Sequence, residues 1–118
     1  MQKEMRLTRK EDFNKVYRYG TSFANHQLVV YMLPQKSVET VRVGISVSKK
    51  IGNAVIRNRM RRLIKEITRH HEEALKPHYD LVFIVRKPAV DMEYAQLEKS
   101  LLHVLRKASL LKPRGRTT

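Results

Sequence analysis

The chain has 118 residues, enough for one modest hydrophobic core and too few for two. A formal charge of +14 at pH 7, with a pI of about 10.5, calls for a polyanionic partner. The absence of cysteine excludes a disulfide framework and a thiolate zinc site. Met1 to Glu11 is polar, and no apolar run approaches the length of a transmembrane helix, so a cytoplasmic protein with no membrane partner is expected. An anionic membrane surface would call for a helix with Trp, Phe or Leu ready to enter lipid, and Trp is absent.

In chain order, Thr8 and Glu11 have the spacing of a capping box, predicting a helix over 9–19 with Thr8 as N-cap and Gly20 as its end. Its apolar face is Phe13, Val16 and Tyr17, which read alone is a core face. A short strand is expected over 21–24 and a firmer one over 27–33, with a turn at 34–40. From Val41 to Ser48 the pattern alternates. Val41, Val43, Ile45 and Val47 form a face to bury, while Arg42, Gly44, Ser46 and Ser48 form a polar face open to a ligand.

The next segment, Lys49 to Arg69, holds eight Lys or Arg residues against one acid, Glu66, and so carries half the net charge. Projected at 100° per residue, Ile56, Met60, Leu63, Ile64 and Ile67 form a core stripe, with Arg57, Arg61, Arg62, Lys65 and Arg69 opposite. A helix over 53–71 follows, with Asn53 as N-cap. A solvated helix face alternates signs; this one has a single carboxylate, so its arginines repel one another unless anions lie between them. Tyr79 to Val85 is a near-continuous apolar run, expected of a strand covered on both sides. A last helix is predicted over 92–109, with Asp91 as N-cap and Leu97, Leu101, Val104, Leu105 and Ala108 inward, and 112–118 reads as a disordered basic tail. The order predicts an α+β two-layer sandwich with a small, mostly antiparallel sheet, in which the strands from Val41 and Tyr79 are parallel partners of a βαβ unit.

Catalytic chemistry is not apparent in the chain itself. Glu11, Asp12, Asp80 and Asp91 read as a cap, helix starts and a strand edge rather than a two-metal site. His70 and His71 lack the spacing of a metal-binding helix and suit the helix C-terminus, and no serine-nucleophile motif or Gly-rich phosphate loop is present. No cofactor or metal bound by the protein is expected. The Arg run suits RNA phosphates and base edges through its bidentate fork.

The stretch Lys49-Lys50-Ile51-Gly52-Asn53-Ala54-Val55-Ile56-Arg57-Asn58-Arg59-Met60-Arg61-Arg62 closely resembles the signature of the bacterial ribonuclease P protein family, whose centre is Arg-Asn-Arg. The resemblance extends to Glu11-Asp12-Phe13, Gly20-Thr21-Ser22, Ala24-Asn25, Val43 to Ser48 and Arg86-Lys87-Pro88-Ala89, which is nearly the whole chain. It implies one domain over 1–118 with a left-handed βαβ crossover, like that of ribosomal protein S five. It also implies the protein subunit of the endoribonuclease that removes the 5′ leader of precursor tRNA, an enzyme whose catalytic centre and Mg2+ ions belong to its RNA subunit. The resemblance assigns Lys49, Lys50, Asn53, Arg57, Asn58, Arg59, Arg61, Arg62, Lys65 and, by extension, Arg69 to the catalytic RNA. It assigns Phe13, Tyr17, Val29, Tyr31 and Ser46 to a cleft for the single-stranded leader, revising the core reading of Phe13 and Tyr17. Three residues depart from the family's habit: Lys65 stands where Arg is more frequent, Tyr17 where Phe is, and His26 where Arg is. Composition alone leaves two other readings, a general RNA-binding or ribosomal protein and a stand-alone nuclease.

Overall fold

The computed structural model of the chain describes residues 5–113. Seven principal elements follow in order: α1 (Lys10–Tyr19), β1 (Thr21–Ala24), β2 (Leu28–Pro34), β3 (Val41–Ser46), α2 (Ala54–His70), β4 (Tyr79–Val85) and α3 (Tyr94–Lys107). The four strands form one sheet in the order β1-β2-β4-β3; β1, β2 and β4 pair antiparallel, and β3 runs parallel to β4.

Strand alternation splits the sheet into two faces. One face carries Leu28, Val30, Val41, Val43, Leu81, Phe83 and Val85, and packs against Met60, Ile64 and Ile67 of α2 and Leu97, Leu101, Val104 and Leu105 of α3. The helix stripes expected from periodicity are therefore the ones buried. The opposite face packs Val82 against Val16 of α1 and Leu7, with Phe13, Tyr31, Leu33 and Ile84 partly buried around them. Covered by helices over most of both faces, β4 is buried from Asp80 to Phe83 and half-exposed at Ile84, which accounts for its nearly continuous apolar run.

The hand of the β3-α2-β4 connection follows from the hydrogen-bond register. Arg86 N–H donates to the Gln27 carbonyl (2.9 Å) and Gln35 N–H to that of His78 (2.7 Å), so the even-numbered residues of β4 direct their backbone groups toward β2. Viewed from the α2 side with β4 running upward, L-residue geometry then places β2 to the left and β3 to the right. The chain leaves β3, passes through α2 in front of the sheet and enters β4 on the left. The crossover is left-handed, against the right-handed rule that holds in about 98% of cases.

Three boundaries differ from the sequence expectations. No capping box forms at Thr8: α1 starts at Lys10 with Arg9 at its N-cap and no side-chain cap. Leu7 N–H is bonded to the Val43 carbonyl at the edge of β3 (2.9 Å), which draws Thr8 into the connection from sheet edge to helix. At α3, Asp91 is not the cap. Glu93 is, in a reciprocal capping box with Gln96, because Lys87–Ala89 forms a 3-10 turn and Met92 N–H returns to the Ala89 carbonyl. Strand β3 ends at Ser46 rather than Ser48, where the chain enters the turn that leads to α2. Of the expected tail, Lys112 is bonded through its N–H to the Ala74 carbonyl (2.7 Å), and residues 114–118 lie outside the described residues.

Candidate nucleic-acid interface

The turn before α2 presents its cations through an apolar anchor. Ile51 is buried and its N–H bonds to the Ser48 carbonyl (3.1 Å), which leaves Lys49 and Lys50 exposed on the outside. Asn53 caps α2 by accepting from Ile56 N–H (3.0 Å), as the sequence indicated. Arg57, Arg61 and Lys65 then follow at intervals of four residues, along one flank of the helix. Arg61 donates to the Asn58 side-chain oxygen (3.1 Å), a neutral partner that aims the guanidinium and leaves its charge uncompensated. Arg62 is exposed. The Nε of Arg57 is shielded from solvent and has no hydrogen-bond partner, so the side chain carries a donor still to be satisfied.

Two residues of the basic run are otherwise engaged. Arg59 donates through Nη1 to the Val90 carbonyl (3.1 Å) and through Nη2 to that of Met92 (3.3 Å), tying α2 to the connection ahead of α3. Arg69 pairs with Glu66, and this guanidinium holds the Glu66 carboxyl below the usual carboxylate range. The one acid of the segment therefore neutralises the end of α2 farthest from Asn53, so the uncompensated charge is concentrated between Lys49 and Lys65.

The second surface lies on the α1 face of the sheet. Strand pairing puts Ser22, Tyr31, Val82 and Gly44 in one row across the sheet, and Ala24, Val29, Ile84 and Ser46 in the next. Helix α1 crosses the first row and leaves the second half-exposed as a cleft floor. Gly44 is required for this close approach, because a Cβ there would stand 2.5 Å from Phe13 Cζ. Tyr17 meets Tyr31 edge-on at 5.2 Å and Phe13 at 6.3 Å, so the three rings form a connected wall, with Tyr17 over a third exposed. The structure thus brings together all five residues expected at a leader cleft.

The polar face of β3 is not open along its length. At its start, Arg42 forms a two-pronged ion pair with Asp80 (both bonds 2.7 Å) and stands 3.9 Å from Asp12 of α1. The hydrogen bond to Asp80, which is 1% exposed, raises the Arg42 pKa further above its ordinary range. This group ties β3 and β4 to the start of α1. Asp80, expected at a strand edge, is instead buried in central strand β4, where a carboxylate requires a cationic partner.

Arg6 is a residue that pattern reasoning missed. With Arg61, Lys65, Phe13 and Gly44 it lines a cavity of about 230 Å³ at the edge of β3, where the aromatic wall and the cationic flank of α2 meet. Nothing in its local sequence marks it, because its position depends on the N-terminal segment pairing beside Val43. Among the described residues no group of three or more His, Asp or Glu side chains is arranged to hold a metal ion, and no helix is long and apolar enough to cross a membrane.

A mixed four-stranded sheet with a left-handed βαβ unit, an arginine-rich crossover helix and an aromatic cleft beside it define an α+β protein of the polyanion-binding class. Comparison with known proteins makes this specific. The family model for ribonuclease P matches residues 1–109. The ribonuclease P protein component of Bacillus velezensis is 53% identical over 112 residues, covering 95% of this chain and 96% of its own, and that of Halalkalibacterium halodurans is 49% identical over 116 residues, covering 98% of both. The solved structure of the Staphylococcus aureus ribonuclease P protein superposes with a TM-score of 0.86 at 42% identity, over 92% of this chain and 98% of that one. The chain belongs to the ribonuclease P protein family and is the protein subunit of the ribonucleoprotein endoribonuclease that matures tRNA 5′ ends, with the ribonuclease P RNA as its partner.

Proposed function

We propose that the two surfaces divide the work of the holoenzyme. The cationic flank of α2 and its entry turn, from Lys49, Lys50 and Asn53 through Arg57, Asn58, Arg61, Arg62 and Lys65, holds the catalytic RNA. The cleft formed by Phe13, Tyr17, Val29, Tyr31 and Ser46 receives the single-stranded 5′ leader of precursor tRNA. Arg59 and Arg69 serve this surface indirectly, by fixing α2 against α3 and by neutralising Glu66. The whole of 1–118 acts as one RNA-binding unit in the cytoplasm. Mg2+ is required by the holoenzyme and held by its RNA.

One observation carries this division: the cavity shared by Phe13, Gly44, Arg61 and Lys65 makes the aromatic cleft continuous with the cationic helix. A leader lying in the cleft is thereby delivered to the RNA held on α2. Stacking on aromatic rings is worth about 1–3 kcal/mol per base and tolerates any sequence, which suits leaders of varied composition. Reconstitution tests the reading. The protein alone is expected to leave precursor tRNA intact, and to lower the Mg2+ needed for cleavage when added to a bacterial ribonuclease P RNA. Accurate 5′ cleavage by the protein without RNA would overturn it. Phe13→Ala and Tyr31→Ala are expected to weaken binding of precursor tRNA but not of mature tRNA; equal effects on both would remove the leader from the cleft.

A further inference from the structure

A second cationic site lies near the end of α2 farthest from Asn53. After α3, Ser109 adopts a left-handed conformation (φ 57°), and the chain turns back to lie beside the segment that follows α2. Lys76 N–H donates to the Leu110 carbonyl (2.8 Å), Lys112 N–H donates to that of Ala74 (2.7 Å), and Leu75 bridges Leu111 between them. These bonds bring Lys76 and Lys112, 36 positions apart in sequence, to the two sides of one backbone bridge. With Arg106 they line a cavity of about 600 Å³ whose floor is Ala74, Leu102 and Leu111.

None of the three cations is held by a direct partner. Among the described residues none has a carboxylate within ion-pair distance or a side-chain hydrogen bond to a carbonyl. The last-turn carbonyls of α3 are already taken by backbone N–H groups: Val104 by Ala108, Leu105 by Leu110 and Arg106 by Ser109. Glu98 is engaged with His71 at 2.8 Å, and Glu39, Glu72 and Glu73, which share a neighbouring cavity with Lys112, form no ion pair with it. Three like charges around an apolar floor repel one another until an anion enters.

We propose that this cavity is a second RNA-binding site, taking backbone phosphates on Lys76, Arg106 and Lys112, with a sugar or base against Leu102 and Leu111. It rests on the reading of the chain as an RNA-binding subunit and extends that reading to a surface the Arg-Asn-Arg helix does not include. The 17 residues of α2, rising 1.5 Å each, place the entry turn of the first surface about 25 Å from the end of the helix near this cavity. A structured RNA can span this distance; one short single strand in the cleft cannot serve both sites.

The test compares wild-type protein, the triple variant Lys76→Gln/Arg106→Gln/Lys112→Gln and the pair Arg57→Gln/Arg61→Gln, each titrated against ribonuclease P RNA at several salt concentrations. The triple variant keeps the Leu75–Leu111 bridge, whose bonds are backbone, and an unchanged melting temperature verifies its fold. Loss of two to three phosphate contacts is expected to flatten the log–log salt slope by about 1.4 to 2.7, while the preference for precursor over mature tRNA in the holoenzyme stays as in wild type. An unchanged slope in the triple variant, alongside a flattened one in the α2 pair, overturns the second site and leaves the division of surfaces intact. Unchanged slopes in both variants overturn both. A parallel titration with inorganic phosphate and a mononucleotide, followed by the amide resonances of Ser109 and Lys112, separates the sources: saturation by the small anions with an unchanged RNA slope makes this a small-anion site and refutes the proposal.

Discussion

Arg59 sits inside the family signature, yet its fork is engaged by the protein, and this separates two roles the motif conflates. Replacing it by Gln removes two charge-assisted hydrogen bonds, to the carbonyls of Val90 and Met92. Such bonds contribute about 1.5–3 kcal/mol each when buried. Here the side chain is half-buried, and water can replace part of what is lost, so the combined cost is about 1–3 kcal/mol. At about 2.1 cal/mol/K per residue, a chain of this length unfolds with an entropy near 0.25 kcal/mol/K, so the melting temperature should fall by about 4–12 °C. The assay pairs thermal unfolding by circular dichroism with the salt dependence of RNA binding. The Arg59→Gln variant should melt early and keep nearly the wild-type salt slope, whereas Arg57→Gln and Arg61→Gln should melt near wild type and each flatten the slope by about 0.7–0.9. A variant at Arg59 that melts as wild type but flattens the slope like the others would refute the structural role.

Gly44→Ala places a methyl group where the Phe13 ring lies, and should cost about 1–3 kcal/mol of stability while weakening leader binding more than binding of mature tRNA. A variant equal to wild type in both measurements would mean that Phe13 does not wall the cleft. Asp80→Asn leaves the Arg42 guanidinium with only Asp12, 3.9 Å away, and should destabilise by about 3 kcal/mol, near the lower end for a broken buried pair because Arg42 is partly exposed; urea unfolding measures it. For pH, the carboxyl of Glu66 is held low by Arg69 in the folded chain, so its contribution is present above the unfolded value and is lost as pH falls through the lower folded one. The pair is solvent-exposed, so the stability change is small. Carboxyl resonances should show Glu66 titrating below ordinary glutamates, and Arg69→Gln should return it to their range.

Much of the architecture was legible because it rests on periodicities of two and 3.6. The alternation from Val41, the continuous run from Tyr79 and the stripe Ile56–Ile67 each specify a face to bury, and the structure buries them. The basic run was legible as a nucleic-acid surface because charge of one sign cannot serve a solvated helix face or a core. The helix caps fall at Arg9 and Glu93 rather than at Thr8 and Asp91, because both segments have a backbone held by distant partners: Leu7 by Val43 of β3, and Val90 and Met92 by Arg59 of α2.

By itself, the sequence determined the element order, the inward stripes of α2 and α3, and the concentration of uncompensated charge on one helix, since each is a matter of residues a few positions apart. Only the tertiary structure decided that Arg59 is engaged by the carbonyls of Val90 and Met92, that Phe13 needs Gly44 beneath it, and that Arg6 joins Arg61 and Lys65. It alone assembled Lys76, Arg106 and Lys112 around one cavity. These depend on contacts between segments far apart in the chain, which no local pattern encodes. The left-handed crossover belongs with them: the hand is a property of how β3, α2 and β4 close on one another, and local chirality argues for the opposite one.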